Sequence, residues 1–291
     1  MTNELLYLAG GLGAVAVAGL TVGLVTPRLL SVETVAIASC LPDHRPTGTR
    51  FIHISDYHFE QMLVSEEKLT QAIDRADPEA ILFTGDLFGY ASSATKALES
   101  LRRVAGTRPV FMCLGNHEYK AYRISTAPAG EPDSVDSYME HARSLGFTIA
   151  RYGLWEHARH NIVAVDDYRA NSQDLALYKA NIQQQLLQTN PELPTILLCH
   201  SPATAGIIAN MDLPYAHRPH MILCGHYHGG QVDLPGHPEY IHFRRELAIL
   251  PRHFRGLKVH NHIPVYVSRG LGCVVLPLRF ASTPEITIIQ S

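Results

Sequence analysis

Five short polar clusters in this chain carry residue types that hold metal ions: Asp56-Tyr57-His58, Gly85-Asp86, Gly115-Asn116-His117-Glu118, His200, and Gly225-His226-Tyr227-His228. Together they offer Asp and Asn oxygens and imidazole nitrogens in nearly equal number. Such mixed donor sets suit Mn²⁺, Fe²⁺/³⁺ or Zn²⁺ better than Ca²⁺. No Cys joins them, which excludes a thiolate-type structural zinc site. The ligands are too many for one ion and enough for two. Two ions about 3.5–4 Å apart, sharing a carboxylate, can clamp the attacking and leaving oxygens of a displacement at phosphorus. Singly, each cluster is weak: an Asp-x-His recurs by chance, Gly-Asp and Gly-Asn-His often mark turns, and a lone His after a strand serves equally as a hydrogen-bonded strand end. Their common position carries the reading.

Each cluster directly follows an apolar run. Residues 51–55, 80–84, 110–114, 162–165, 195–199, 221–224, 265–268 and 286–289 read as short buried strands. Between them lie helical patterns over 65–76, 93–105, 134–145 and 172–187, several preceded by Ser or Asp as N-caps, with Gly146 as a C-terminal stop. Strand–helix alternation predicts an α/β fold of layered type. Polar residues at strand C-termini sit where open α/β sheets form their ligand crevices.

The order D-x-H, G-D, G-N-H-E, H, G-H-x-H resembles the calcineurin-like metallophosphoesterase superfamily, over about residues 51 to 229. The stretch from Gly225 through His228-Gly229-Gly230 to Gln231, Ser268-Arg269-Gly270-Leu271-Gly272, Pro277-Leu278-Arg279-Phe280 and Pro284-Glu285-Ile286 are similar to its membrane-associated bacterial branch. That branch holds YkuE/YaeI-like phosphodiesterases and calcineurin-like UDP-2,3-diacylglucosamine pyrophosphohydrolases of lipid A synthesis. The resemblance implies a layered α/β/β/α sandwich and two divalent metal ions, Mn²⁺ foremost, with Fe or Zn as alternatives. It implies that Asp56, His58, Asp86 and His228 hold one metal, and that Asp86 bridges to a second completed by Asn116, His200 and His226. A hydroxide between the metals would attack phosphorus, and His117 would be the catalytic residue at the leaving oxygen. Glu118 either orients His117 or caps a turn. Purple acid phosphatases of the superfamily use D-x-G and a ligand Tyr three residues after the bridging Asp. Here position 89 is Gly and Tyr90 follows it, which disfavours a tyrosinate-coloured iron site and makes Tyr90 a wall residue.

Composition agrees with a folded catalytic chain. Of 291 residues 46% are apolar, and 24 Lys+Arg against 27 Asp+Glu leave a formal charge of −3, which excludes a strongly basic nucleic-acid binder. The 17 His are numerous, and the clusters account for five of them. Cys40, Cys113, Cys199, Cys224 and Cys273 are widely spaced, without a CxxC pair, which fits a reducing compartment better than a disulfide framework.

Leu5 to Val25 carries no charge and ends at Pro27 and Arg28. At 1.5 Å per residue it spans roughly 30 Å, the thickness of a hydrocarbon core. A signal peptide is the competing reading, but residues 1–4 hold no Lys or Arg and the run exceeds the usual h-region. The expected organisation is a single-pass anchor at 1–27, a linker at 28–47 and one catalytic domain at 48–291. Arg28, Arg45 and Arg50 follow the span and place that domain in the cytoplasm by the positive-inside tendency. Gly19 and Gly23 form a GxxxG that offers a helix-mediated dimer.

For the substrate, residues 236–262 carry Arg244, Arg245, Arg252, Arg255 and Lys258 interleaved with apolar residues. They read either as an ordinary solvated loop or as a basic lip for anionic headgroups or a polyphosphate. Lys120 and Arg123, just past the G-N-H-E turn, are further phosphate-binding candidates. The expected activity is dimetal-dependent hydrolysis of phosphodiester or pyrophosphate bonds on a membrane-associated or lipid-linked substrate. UDP-2,3-diacylglucosamine pyrophosphohydrolysis specifically, and a catalytically silent membrane scaffold, are the alternatives. No nucleic-acid partner is expected.

Overall fold

The structure is a computed structural model and describes residues 17–37, 47–168, 174–233 and 253–291. Two six-stranded sheets lie face to face. The strands are β1 Ser31–Ala36, β2 Arg50–Ile54, β3 Ala80–Thr84, β4 Val110–Cys113, β5 Thr148–Ile149, β6 Tyr152–His157, β7 His160–Val165, β8 Thr195–Leu198, β9 Met221–Cys224, β10 Gly256–His260, β11 Ile263–Val267 and β12 Glu285–Gln290. The first sheet runs β1-β12-β2-β3-β4-β5 and the second β10-β11-β9-β8-β7-β6. The helices are α1 Glu66–Ala76, α2 Ala94–Ala105, α3 Asn116–Ile124, α4 Val135–Ser144, α5 Leu175–Leu187 and α6 Pro202–Ala209.

Period-two alternation divides the strands' side chains among three apolar layers. On β2, β3 and β4, Ile52, Ile54, Ile81, Phe83, Val110 and Met112 face the layer shared with α1, α2 and α4, while Phe51, Ala80, Leu82 and Phe111 face the opposite sheet. On the second sheet Ile162, Ala164, Ile196, Leu198 and Leu223 meet them from the other side, and Val163, Leu197 and Ile222 pack outward under α5 and α6. The result is the α/β/β/α sandwich. Strands buried on both faces read as continuous apolar runs, and these are the eight runs visible in the sequence.

Helix starts follow side-chain chemistry. Ser65, Ser134, Asp174 and Ser201 each accept an N–H from the first turn of α1, α4, α5 and α6. In α1, Leu69, Ala72, Ile73 and Ala76 recur at helical spacing and are buried.

The N-terminal region differs from expectation. The segment expected to be a linker contains β1, which pairs in parallel with β12 from Ser31↔Glu285 to Ala36↔Gln290. Its alternation was hidden because β1 is an edge strand with a largely exposed face and its partner lies at the far end of the chain. Of the apolar run at 5–25, residues 17–25 are helical and residues 5–16 lie outside the described residues. Among the described residues no helix is long and apolar enough to cross a membrane. Arg244 and Arg245 also lie outside the described residues. The described part of the basic segment, 253–262, contributes β10 to the edge of the second sheet.

Candidate dimetal centre

Parallel strands bring their exits to one end of the sandwich. Asp56 and His58 follow β2, Asp86 follows β3, Asn116 and His117 open α3 after β4, His200 follows β8, and His226 and His228 follow β9. Five of these residues, Asp56, His58, Asp86, His226 and His228, hold positive φ between 42° and 73°. Left-handed backbone is costly for residues with a Cβ and persists where the surroundings impose it, typically at functional sites. Two glycines make room for the convergence. A Cβ on Gly115 would strike the Asp86 carboxylate, and one on Gly225 would strike Ser55 and Asp56.

The ligand atoms form three overlapping groups: Asp56, His58 and His228; His58, Asp86 and His117; and Asp86, His200 and His226. Within each, the atoms lie within 4.8 Å of one another. Asp86 stands at the middle, its Oδ2 lying 3.2 Å from His200 Nε2 and 3.6 Å from His58 Nε2. Its Oδ1 accepts the His117 N–H at 2.7 Å. His228 Nε2 is 3.3 Å from Asp56 Oδ1. His200 Nε2 lies 3.1 Å from both Asn116 Oδ1 and His226 Nδ1.

Outer hydrogen bonds aim these rings. His200 Nδ1 meets the Thr84 carbonyl at 2.8 Å and His228 Nδ1 the Gly272 carbonyl at 3.2 Å. A carbonyl only accepts, so His200 Nδ1 donates to Thr84, while His228 Nδ1 lies between the Gly272 carbonyl and the Arg279 Nη2 donor at 3.3 Å. Both rings thereby turn Nε2 toward the site carboxylates. Asp56 is set by the Ser55 hydroxyl at 2.7 Å and the His226 N–H at 2.9 Å. The loop after β11 supports Asp56 from behind, since the Gly272 N–H donates to the Asp56 carbonyl at 2.8 Å.

Burial alone would lower His200, yet the charges of Asp86 and Asp56 hold its imidazole well above the usual range. Burial alone would raise Asp86, yet the imidazoles of His200, His117 and His58 hold its carboxyl well below the usual range. Burial raises Asp56 and pushes His58 down to about 3. His58 is therefore neutral at physiological pH, with a lone pair to offer. Its Nε2 is buried without a hydrogen-bond partner, as is His117 Nδ1. Orphaned buried imidazole nitrogens beside carboxylates are the expected state of ligands for a cation, so the residues present fit two divalent ions.

A cleft of about 350 Å³ opens over this floor, lined by His58, Asp86, Asn116, His117, His226 and His228, and walled by Glu60, Tyr90, Lys120, Ile124, Val274 and Val275 among others. Tyr90 is thus a wall residue, as expected, and Lys120 reaches the cleft. Arg123, one helical turn beyond Lys120, is exposed and does not line it.

Glu118 takes the turn-capping alternative and a further role besides, and Arg279 gains a role that the sequence did not disclose. Glu118 is fully buried; its Oε2 accepts the N–H groups of Gly115 at 2.7 Å and Asp86 at 3.1 Å, and its Oε1 that of Leu87 at 2.6 Å. It caps the turn and also ties together two loops of the centre. Arg279, wholly buried, donates to the carbonyls of Gly272, Arg269 and Ser282 at 2.5, 2.8 and 3.1 Å. A lone Arg inside the run VVLPLRFAS was the available signal.

Comparison with known proteins agrees. The chain is 27% identical to the uncharacterized metallophosphoesterase YkuE of Bacillus subtilis (strain 168), over 97% of this chain and 95% of that protein. It is 29% identical to YkoQ of the same organism, over 82% of each. It is 26% identical to the UDP-2,3-diacylglucosamine pyrophosphatase LpxG of Chlamydia trachomatis, over 84% of this chain and 83% of that protein. Residues 49–230, more than half of the chain, match the calcineurin-like phosphoesterase family. The chain belongs to that family and is a metal-dependent phosphoesterase.

Proposed function

We propose that this protein hydrolyses phosphodiester or pyrophosphate bonds with two divalent ions, held on one side by Asp56, His58 and His228 and on the other by Asn116, His200 and His226, with Asp86 between. The observation that carries this reading is the position of Asp86: one buried carboxylate flanked by imidazoles of two ligand groups, at the floor of an open cleft. Bound ions would supply Lewis acidity and an activated water. The chain's own residues do the rest. The Asp86 carboxylate fixes the His117 backbone, and the His117 ring faces the cleft, placed to contact a phosphoryl oxygen or protonate the departing one. Lys120 on the wall offers a cation to phosphate oxygens.

The uncharged run at 5–25 supports a single membrane anchor, Arg28, Arg45 and Arg50 support a cytoplasmic domain, and Gly19 and Gly23 support pairing of two anchors. The expected substrate is membrane-borne. The likeness to LpxG favours one specific candidate, UDP-2,3-diacylglucosamine, cleaved at its pyrophosphate.

The test is a panel assay of the purified protein loaded with Mn²⁺, on bis-p-nitrophenyl phosphate and UDP-2,3-diacylglucosamine, with Fe²⁺ and Zn²⁺ in parallel. Turnover that disappears with chelator and in Asp86→Asn supports the reading. A protein that binds two ions and hydrolyses nothing supports the silent scaffold instead.

A further inference from the structure

One wall of the cleft, Cys273 to Val275, is apolar and continues outside the cleft into Leu276, Pro277 and Leu278. From Cys273 to Leu278 the chain reads CVVLPL, without a charge. Val275 is 87% exposed and Leu276 is exposed beside it. Val275 also holds φ 64°, a backbone conformation in which a β-branched residue is a genuine outlier.

This exposure is not that of a slack loop. Buried Gln231, the last residue of the motif carrying His226 and His228, donates through Nε2 to the carbonyls of Val274 at 2.9 Å and Leu276 at 3.2 Å. Its Oε1 accepts the Val274 N–H at 2.8 Å. Val275 is therefore propped outward between two fixed neighbours. Tyr90 and Ile124, both exposed, line the same cleft.

The loop is also joined to the N-terminal helix. The Arg279 N–H donates to the Gly23 carbonyl at 3.0 Å, and a Cβ at Gly23 would stand 3.7 Å from the Leu278 side chain. Around that contact the helix turns Val17, Leu20, Val22, Leu24 and Val25 outward. The segment carrying Val275 and Leu276 is thus tied, through Leu278 and Arg279, to the described helical part of the apolar run, residues 17–25. Aliphatic side chains with an aromatic at the edge, joined to a helix whose exposed face is apolar at Val17, Leu20, Val22, Leu24 and Val25, fit a lipid bilayer.

We propose that Val275 and Leu276, with Tyr90 and Ile124, form a lip that enters the bilayer at the headgroup boundary. The cleft then opens onto the lipid, and an amphiphilic phosphoester presents its phosphate to the site while its apolar part stays in the membrane. This rests on the hydrolase reading above for the chemistry, and on the lip and its tie to the N-terminal helix for the membrane contact.

The full chain carrying Val275→Trp, reconstituted in phosphatidylcholine vesicles with brominated acyl chains, tests the contact. The parent chain is the reference, because its single tryptophan, Trp155, packs on Phe111 at the inter-sheet layer. A blue-shifted, bromine-quenched signal above that reference is expected; emission and quenching equal to the parent overturn the proposal. Leu276→Asp gives the functional arm. Its turnover on hexadecyl p-nitrophenyl phosphate in vesicles, divided by that on soluble bis-p-nitrophenyl phosphate, should fall about tenfold relative to the parent. An unchanged ratio counts against the lip. If the parent hydrolyses neither diester nor UDP-2,3-diacylglucosamine, the hydrolase reading fails while the quenching result still decides the membrane contact.

Discussion

Glu118 accepts the backbone N–H of Asp86 at 3.1 Å while capping, at 2.7 Å, the Gly115 N–H at the start of its own helix. One side chain thus fixes the distance between the loop that carries the central carboxylate and the helix that carries Asn116 and His117. Burial, reinforced by the Asp86 charge, raises the Glu118 carboxyl to about 7. Its hydrogen bonds come from three main-chain donors, the N–H groups of Asp86, Leu87 and Gly115.

Glu118→Ala should therefore loosen both halves of the centre at once. Three buried N–H groups lose their acceptor, each worth about 1–3 kcal/mol when left unmade. We expect metal affinity to fall by about 10–100-fold, read as bound metal per chain after gel filtration. Full retention of both ions would show that the loops hold their spacing without it.

His117 makes a different prediction. Its ring stacks edge-on against His58 at 4.6 Å, and its nitrogen lies within ligand range of Asp86, so it has the geometry of a catalytic residue and of a third ligand. If it acts on the phosphoryl group, His117→Ala lowers kcat by about 10²–10⁴ and leaves two metals per chain. Loss of one metal equivalent would make it a ligand instead. Metal analysis alongside kcat separates the two.

How much of this was legible in the sequence follows from burial. Strands such as β3 and β8, apolar on both faces, announce themselves as runs and fix the position of Asp86 and His200 at their ends. β1 and β10 were not legible because their outer faces are wet and their partners are assigned by the fold. α3 was hidden for another reason: it begins within the metal motif, where Asn116 and His117 are poor helix formers. That helix sets the spacing that brings Lys120 into the cleft and leaves Arg123 outside. The left-handed backbone at Asp56, His58, Asp86, His226 and His228 leaves no trace in residue type beyond the tolerance of Asp and His for it.

Arg279 reaches the centre both directly, with its Nη2 3.3 Å from His228 Nδ1, and through a carbonyl that the two share. Both its guanidinium and the His228 Nδ1 meet the Gly272 oxygen, at 2.5 and 3.2 Å. Removing the cation as Arg279→Met strips a donor from the buried carbonyls of Gly272 and Ser282 and the part-buried one of Arg269, and should destabilise the fold by about 2–4 kcal/mol. It should also weaken the metal held by His228 more than its neighbour, so that occupancy falls from two toward one. Arg279→Lys should not rescue this, because an ammonium lacks the planar fork that spans Gly272, Arg269 and Ser282. Equal loss of both ions would remove the link to His228.

His53 supplies the pH prediction, since it lies in β2 and outside the ligand set. It is fully buried in the first sheet, 2.8 Å from the Thr84 hydroxyl and edge-on to the Tyr266 ring, and burial pushes its pKa down to about 3. An unfolded His titrates near 6.5. Between these values the folded state binds fewer protons than the unfolded one, so stability rises with pH and is lost as pH falls. His53 alone should cost the fold roughly 1.5 kcal/mol on going from pH 6.5 to pH 5. His53→Leu cannot titrate, so subtracting its unfolding free energy from that of the parent at each pH isolates the effect, other groups cancelling. The difference should shrink steadily below pH 6.5 and be flat above about pH 7.5. A pH-independent difference would mean that His53 finds a proton-accepting partner in the folded protein.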